Sequence, residues 1–287
     1  MDLSVGDRTF DFSRKSLIMG ILNVTPDSFW DGASYSDVHK AVARAEEMAG
    51  EGADIIDVGG ESTRPGSAPV DTQQEIDRIG PVVERLLRTI DIAISVDTRK
   101  SAVAREMLAL GVHMINDVSG LSFDQSMVDV VREYNVPVVI MHMRGTPADM
   151  QSRTDYDDVV LDVREELAAR VRSAEQKGIS PKKIIVDPGI GFSKTGPQCV
   201  ELIARLDEFL NLGKPILVGP SRKSFMGKTI GLDPDDRLEA TIACCVVAVS
   251  KGASIVRVHD VGSVARALRM AARIRGQERS HSSRVIG

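Results

Sequence analysis

Eight short apolar runs recur along the chain, each stopping abruptly at a polar or ionisable residue, at intervals that suit a repeating strand-plus-helix unit. They are Leu17 to Leu22 before Asn23, Ile55 and Ile56 before Asp57, Ile92 to Val96 before Asp97, and Met114 and Ile115 before Asn116. Next come Val138 to Met141 before His142, Ile184 to Val186 before Asp187, Ile216 to Val218 before Ser221, and Ile255 to Val258, which carries Arg257 and precedes His259. Between them lie stretches with helical spacing, such as Val38, Val42, Ala45 and Ala49, or Ile76, Ile79, Val83 and Leu86. The same spacing recurs at Val103 to Leu110, Met127 to Val131, Leu202 to Phe209, Leu238 to Val249 and Val264 to Ala271. Alternating strand and helix predicts an α/β fold of right-handed βαβ units, a (β/α)8 TIM barrel, with an open doubly wound sheet as the alternative. In a barrel the eight polar stops collect at one rim, so residues distant in sequence share one mouth.

Ahead of the first run, Leu3 to Val5 and Thr9 to Phe12 flank Gly6-Asp7, which predicts a short N-terminal β-hairpin that plugs the barrel's bottom. From Gly276 onward the chain is polar and aperiodic, so residues 276–287 are expected to form a disordered tail after one domain at 1–275. A length of 287 residues permits that single domain, since such barrels commonly run to about 250 residues. No apolar stretch is long enough for a bilayer, and Met1 to Arg8 lacks the basic start and apolar core of a secretory signal, so a cytoplasmic, non-membrane protein is expected. A formal net charge of −5 argues against a nucleic-acid partner while leaving room for a local cationic cluster that takes an anionic small molecule. Cys199 and the adjacent Cys244 and Cys245 fit neither a disulfide framework nor a metal-ligand spacing and read as core filler. The segments from Asn23 to Ser36 and Gly59 to Val70, punctuated by glycine and proline, read as long rim loops able to act as lids.

Asp187 opens Asp187-Pro188-Gly189-Ile190-Gly191-Phe192 directly after a buried run. A carboxylate there can accept two parallel hydrogen bonds from an amidine-like fork on a ligand ring, or simply cap a Pro-Gly turn. Asp97 and Asn116 repeat the polar strand end; either can be a helix cap, but recurrence over several strands favours a site, where Asn116 brings both a donor and an acceptor. Ser221-Arg222-Lys223-Ser224 places two cations after the seventh run, where barrels bind anions, and Arg257 with His259 adds donors at the eighth; together they read as an anion clamp. His142, set between Met141 and Met143, reads as a satisfied core residue, and Gly189-Ile190-Gly191 lacks the dinucleotide fingerprint.

Met19 to Phe29, Gly59 to Gly66, Asp187 to Phe192 and Ser221 to Ser224 closely resemble the dihydropteroate synthase family, a likeness that runs from Leu17 to the helix after His259. The resemblance implies a transferase of folate biosynthesis, a sulfonamide target, that joins 6-hydroxymethyl-7,8-dihydropterin diphosphate to 4-aminobenzoate and releases diphosphate. Carried over by position, Asp97, Asn116, Asp187 and Lys223 are implied to bind the pterin, and Asn23 the magnesium ion and diphosphate. Thr63, Arg64, Arg257 and His259 are implied around the leaving group, and Pro65, Phe192, Ser224 and the Thr25 to Phe29 loop around 4-aminobenzoate. A homodimer through outer helices near the seventh and eighth units is implied as well. The chain departs from the family pattern at Trp30, at Pro220 and at Gln198-Cys199. A methyltetrahydrofolate-dependent corrinoid methyltransferase shares the Asp and Asn contacts but has no use for the anion equipment or the long first loops. A non-catalytic pterin-binding protein is the other alternative, and it would be expected to have lost charges at the rim, which this chain keeps.

Overall fold

Strands buried on both faces form the wall of a parallel barrel, because each apolar run has the core on one side and helices on the other. The computed structural model describes residues 2–25, 35–64 and 66–282. After the hairpin β1 (Asp2–Val5) and β2 (Arg8–Asp11), the wall strands are β3 (Leu17–Asn23), β4 (Ile55–Gly59), β5 (Ala93–Asp97), β6 (Met114–Asp117), β7 (Val138–Met141), β8 (Ile184–Asp187), β9 (Leu217–Val218) and β10 (Ile255–Val258). Between and after them run α1 (Tyr35–Glu51), α2 (Thr72–Thr89), α3 (Ser101–Leu110), α4 (Met127–Tyr134), α5 (Val159–Gln176), α6 (Gly196–Ala204), α7 (Ser224–Ile230), α8 (Leu238–Ser250) and α9 (Val261–Ser282).

The strands pair in the order β8-β7-β6-β5-β4-β3-β10-β9, and a parallel bridge between Val186 and Ile216 joins the two end strands. That bridge closes the sheet into a barrel and overturns the open doubly wound alternative. The side chains of Leu17, Met19, Ile55, Ala93, Met114, Val139, Ile185, Leu217 and Ile255 fill the lower interior, and Leu3 and Val5 of the hairpin pack beneath them. The bottom is therefore plugged as expected, with the hairpin turning at Gly6, whose φ of 61° suits glycine.

Two elements escaped the periodicity reading. Helix α5 buries Val160, Val163, Leu167, Val171 and Ala174, a helically spaced stripe that was available in the sequence. The short helix α7 follows the Ser221 to Lys223 turn directly, capped at its end by Gly231 with φ 73°. At the other end of the chain, α9 continues past Gly276 to Ser282, into the segment expected to be a tail.

Candidate active site

Along each wall strand the side chains alternate between core and helix layer, so two residues beyond the apolar floor lies a second inward-facing ring. Reading the register upward from Met19, Ile55, Ala93, Met114, Val139, Ile185, Leu217 and Ile255 gives Ile21, Asp57, Ser95, Asn116, Met141, Asp187, Gly219 and Arg257. The ring is largely polar and lies toward the C-terminal rim of the barrel.

Arg257 holds this ring together. Its Nε donates to Asp57 Oδ2 at 2.6 Å and its Nη2 to Asp97 Oδ2 at 2.8 Å, so a guanidinium from β10 spans carboxylates of β4 and β5. Asn116 Nδ2 donates to the same Asp57 Oδ2 at 2.9 Å. Asp97 is thus no helix cap: α3 begins after Lys100 without a side-chain cap, and the Asp97 carboxylate turns inward. Asp187 caps its own turn, because Oδ1 accepts from the Gly189 amide at 2.7 Å, while no hydrogen bond among the described residues uses Oδ2. Lys223 Nζ donates to the Ile190 carbonyl and lies 4.5 Å from the centre of the Phe192 ring, on which a flat ligand can also rest. Gly219 lies beside both cations: a Cβ there would sit 3.7 Å from Arg257 Cβ and 4.0 Å from Lys223 Nζ.

Burial sets the protonation of this pocket. Desolvation raises Asp97 to about 7 against the opposing pull of Arg257, and it raises Asp187 against the pull of Lys223. Lys223 is lowered to about 8 by burial, with Asp187 acting the other way. Asp97 and Lys223 sit where modest changes of environment move a proton, as functional carboxylates and amines commonly do.

The expected anion clamp is only partly assembled. Arg222 pairs with Asp260 through Nε at 2.8 Å and Nη2 at 2.6 Å, so its charge is already matched and it leaves the clamp to others. Its φ of 54° reverses the chain and sends the next residue, Lys223, inward; Pro220 contributes the carbonyl that closes this turn on the Lys223 amide at 3.3 Å. His259 is held near 4 by burial and by Arg257, and is therefore neutral at pH 7. Ser221 Oγ accepts from the His259 amide at 3.2 Å and lies 2.9 Å from the ring's Nδ1, which holds the imidazole in place. Arg64 is exposed, and its positive charge adds to the depression of His259.

The remaining predicted residues stand at the mouth. Asn23 ends β3; its Oδ1 and Asp97 Oδ2 flank the gap left by Gly59, where a Cβ would sit 3.9 and 3.8 Å from them. Thr63 lines a small rim cavity with Glu61, Ser67 and Thr146. Ser224 is exposed at the start of α7, and Phe192 is buried against Met141, Met143 and Met150. Pro65, Trp30 and positions 26–29 of the first loop lie outside the described residues.

Asp57 is the residue whose importance the sequence did not reveal; it ends an apolar run like the others, but only the fold shows it touching two site residues. Behind the Asp187 loop a second polar group was also hidden. His142, fully buried, lies 2.9 Å from Glu166 Oε2 and 3.0 Å from Lys194 Nζ, and Lys194 donates to the Phe192 carbonyl at 2.9 Å. His142 is therefore a satisfied core histidine, as read. At the departing pair, Gln198 completes a capping box with Thr195, and the Cys199 thiol accepts from the Gly191 amide at 3.2 Å.

Comparison with known proteins agrees with this geometry. Residues 19–259 match the family of pterin-binding enzymes. The chain is 44% identical over 270 residues to dihydropteroate synthase of Synechocystis sp., covering 94% of this chain and 93% of that one. It superposes on Yersinia pestis dihydropteroate synthase, solved with a sulfonamide drug complex, with a TM-score of 0.90 at 40% identity, over 96% of this chain and 100% of that one. On Xanthomonas albilineans dihydropteroate synthase with 4-aminobenzoic acid the TM-score is 0.89 at 41% identity, over 96% and 98%. Likeness of this extent, in a barrel whose strand ends meet around Arg257, makes the chain a member of the pterin-binding enzyme family.

Proposed function

We propose that this pocket carries out the dihydropteroate synthase reaction, condensing 6-hydroxymethyl-7,8-dihydropterin diphosphate with 4-aminobenzoate to give 7,8-dihydropteroate and diphosphate in folate biosynthesis. The observation that carries the reading is the meeting of Asp97, Asn116, Asp187, Lys223 and Arg257, from five different strand ends or the turns after them, at the C-terminal end of one barrel. Asp187, through the oxygen its turn leaves over, accepts from the amino-pyrimidine fork of the pterin, and Lys223 donates to the ring's acceptors. Asp97 and Asn116 take the opposite edge. The methyltransferase reading has no need of the Lys223, Arg257 and His259 equipment, and the binding-only reading predicts lost charges that this chain retains.

In the reaction the bond between the pterin methylene carbon and the diphosphate oxygen breaks, and its electron pair leaves with the diphosphate. Positive charge develops on the pterin side, next to the carboxylates of Asp97 and Asp187, while Arg257 and the neutral His259 donor stabilise the departing anion. The amine nitrogen of 4-aminobenzoate, neutral near pH 7, forms the new bond to the methylene carbon and gives its proton to solvent, so no strong base is required. The Asn23 oxygen beside the Gly59 gap fits a hard cation that shares its shell with phosphate oxygens, so Asn23 would hold magnesium. When bound, that ion would neutralise charge on the leaving diphosphate.

Thr63 and Arg64 are assigned to the leaving group, and Phe192, Ser224 and Pro65 to 4-aminobenzoate, whose place a sulfonamide would take. A homodimer is supported by the exposed apolar side chains Ile230 on α7, Val247 on α8 and Met270 and Ile274 on α9. Sedimentation at micromolar concentration should give twice the chain mass; a monomer would refute the dimer. No helix among the described residues is long and apolar enough to cross a membrane, and we place the enzyme in the cytoplasm. The deciding assay is release of diphosphate, which should require magnesium and both substrates together; release unaffected by omitting 4-aminobenzoate would reject the reaction.

A further inference from the structure

Asp57 is completely buried, so it does not itself reach a ligand, yet its Oδ2 accepts from both Asn116 and Arg257. Stability offers no reason for a carboxylate here. A buried ion pair can generally be exchanged for well-packed apolar residues at little cost, and Asp57 Oδ1 is buried without any hydrogen-bond partner among the described residues. What the carboxylate does supply is orientation. Asp57 Oδ2 accepts from Asn116 Nδ2, so the amide turns its nitrogen toward Asp57 and its Oδ1 remains as an acceptor for the ring. On the other side, Asp57 takes Arg257 by Nε, the nitrogen nearest the chain, and leaves the terminal nitrogens to a second partner. In this structure one of them, Nη2, is on Asp97.

Arg257 Nη2 is held on Asp97 Oδ2; a ring ligand that takes this oxygen releases an Arg257 terminal nitrogen while Nε stays anchored on Asp57. We propose that Asp57 is a positioning residue that couples the two halves of the substrate site: it fixes Asn116 as an acceptor for the pterin and pivots Arg257 from Asp97 onto the leaving anion. The inference rests on the dihydropteroate synthase reading. It predicts that a ring ligand and inorganic diphosphate bind with mutual reinforcement, and that this reinforcement runs through Asp57.

The test is calorimetry on the full-length protein with 6-hydroxymethyl-7,8-dihydropterin, alone and with magnesium diphosphate. In the unaltered protein, diphosphate should tighten dihydropterin binding by about fivefold or more. Asp57→Asn, which keeps shape but loses the charge, should weaken dihydropterin about tenfold to hundredfold and abolish the reinforcement. Combining it with Asn116→Ala should cost no more than the worse single change, since both remove one arrangement. If Asp57→Asn does not fold, the pair Asn116→Ala and Arg257→Ala, with Asp57 intact, carries the same test: their losses must be non-additive. Additive losses in either pair, or reinforcement that survives in Asp57→Asn, overturns the role of Asp57. Absence of any dihydropterin binding by the unaltered protein fails the functional reading itself, and the inference with it.

Discussion

Arg222 and Lys223 are neighbours in the chain, but their cations serve different ends: Arg222 is paired with Asp260 through two hydrogen bonds of 2.8 and 2.6 Å, whereas Lys223 reaches inward to the Ile190 carbonyl and over Phe192. The backbone makes the distinction, because the left-handed φ of 54° at Arg222 reverses the chain between them. Lys223→Ala should therefore weaken pterin diphosphate binding about a hundredfold. Arg222→Ala removes only a partly exposed pair and should alter it less than about fivefold. Calorimetry with pterin diphosphate compares the two; equal losses would place Arg222 back in the clamp.

Asp187 serves its own turn and the ligand with different oxygens, so the two duties can be separated. Asp187→Asn retains an oxygen that can cap the Gly189 amide but loses the charged acceptor for the amino-pyrimidine fork. It should fold with a near-normal melting temperature and bind pterin diphosphate about tenfold to hundredfold more weakly. Asp187→Ala should lose both stability and binding. Unchanged affinity in Asp187→Asn would refute the pterin assignment.

Pterin affinity should pass through a maximum between the values of its two titrating groups. Below about 7 Asp97 takes up a proton and ceases to be a charged acceptor, and above about 8 Lys223 gives one up. Lys223→Arg should remove the alkaline limb while leaving the acid limb in place, a result read from binding isotherms across the pH range. The sign for stability follows separately: the folded value of Asp97 lies above its ordinary 3.8, so the stability it contributes falls as pH rises from 3.8 to about 7. Asp97→Asn should flatten that part of the urea-denaturation profile.

Glu166 anchors the polar group behind the pterin loop, accepting from Arg144 as well as contacting His142. The His142 hydrogen bond, with Arg144 in support, pulls Glu166 down to about 2 despite partial burial. Its folded value is depressed, so its stabilisation is complete above 4.5 and is lost as pH falls toward about 2. Glu166→Gln should lower the melting temperature at neutral pH by about 2–4 °C, which is on the order of 1 kcal/mol after allowing for solvent screening at a side chain about a third exposed. The variant should also lose this acid-range dependence; a parallel profile would mean that other carboxylates dominate there.

The sequence was sufficient for the architecture because burial leaves a local record. A parallel strand covered on both faces is apolar for most of its length, and the polar residue that ends the run marks the rim, so Asn23, Asp97, Asn116 and Asp187 were identifiable one strand at a time. Helix α5 is recorded just as clearly, in the buried stripe from Val160 to Ala174. What the chain could not record is direction and partnership between strands far apart in sequence. Asp57 looked like any other strand end until closure of the barrel brought Arg257, 200 positions later, within 2.6 Å of it. Arg222 looked as good an anion ligand as Lys223 until the turn and Asp260 claimed it. His259 reads from the sequence as a donor, but its neutrality is set by burial and Arg257. Apolar periodicity is a property of neighbours along the chain and survives in the sequence, whereas hydrogen-bond choice and protonation depend on dielectric and distance, which exist only once the barrel has closed.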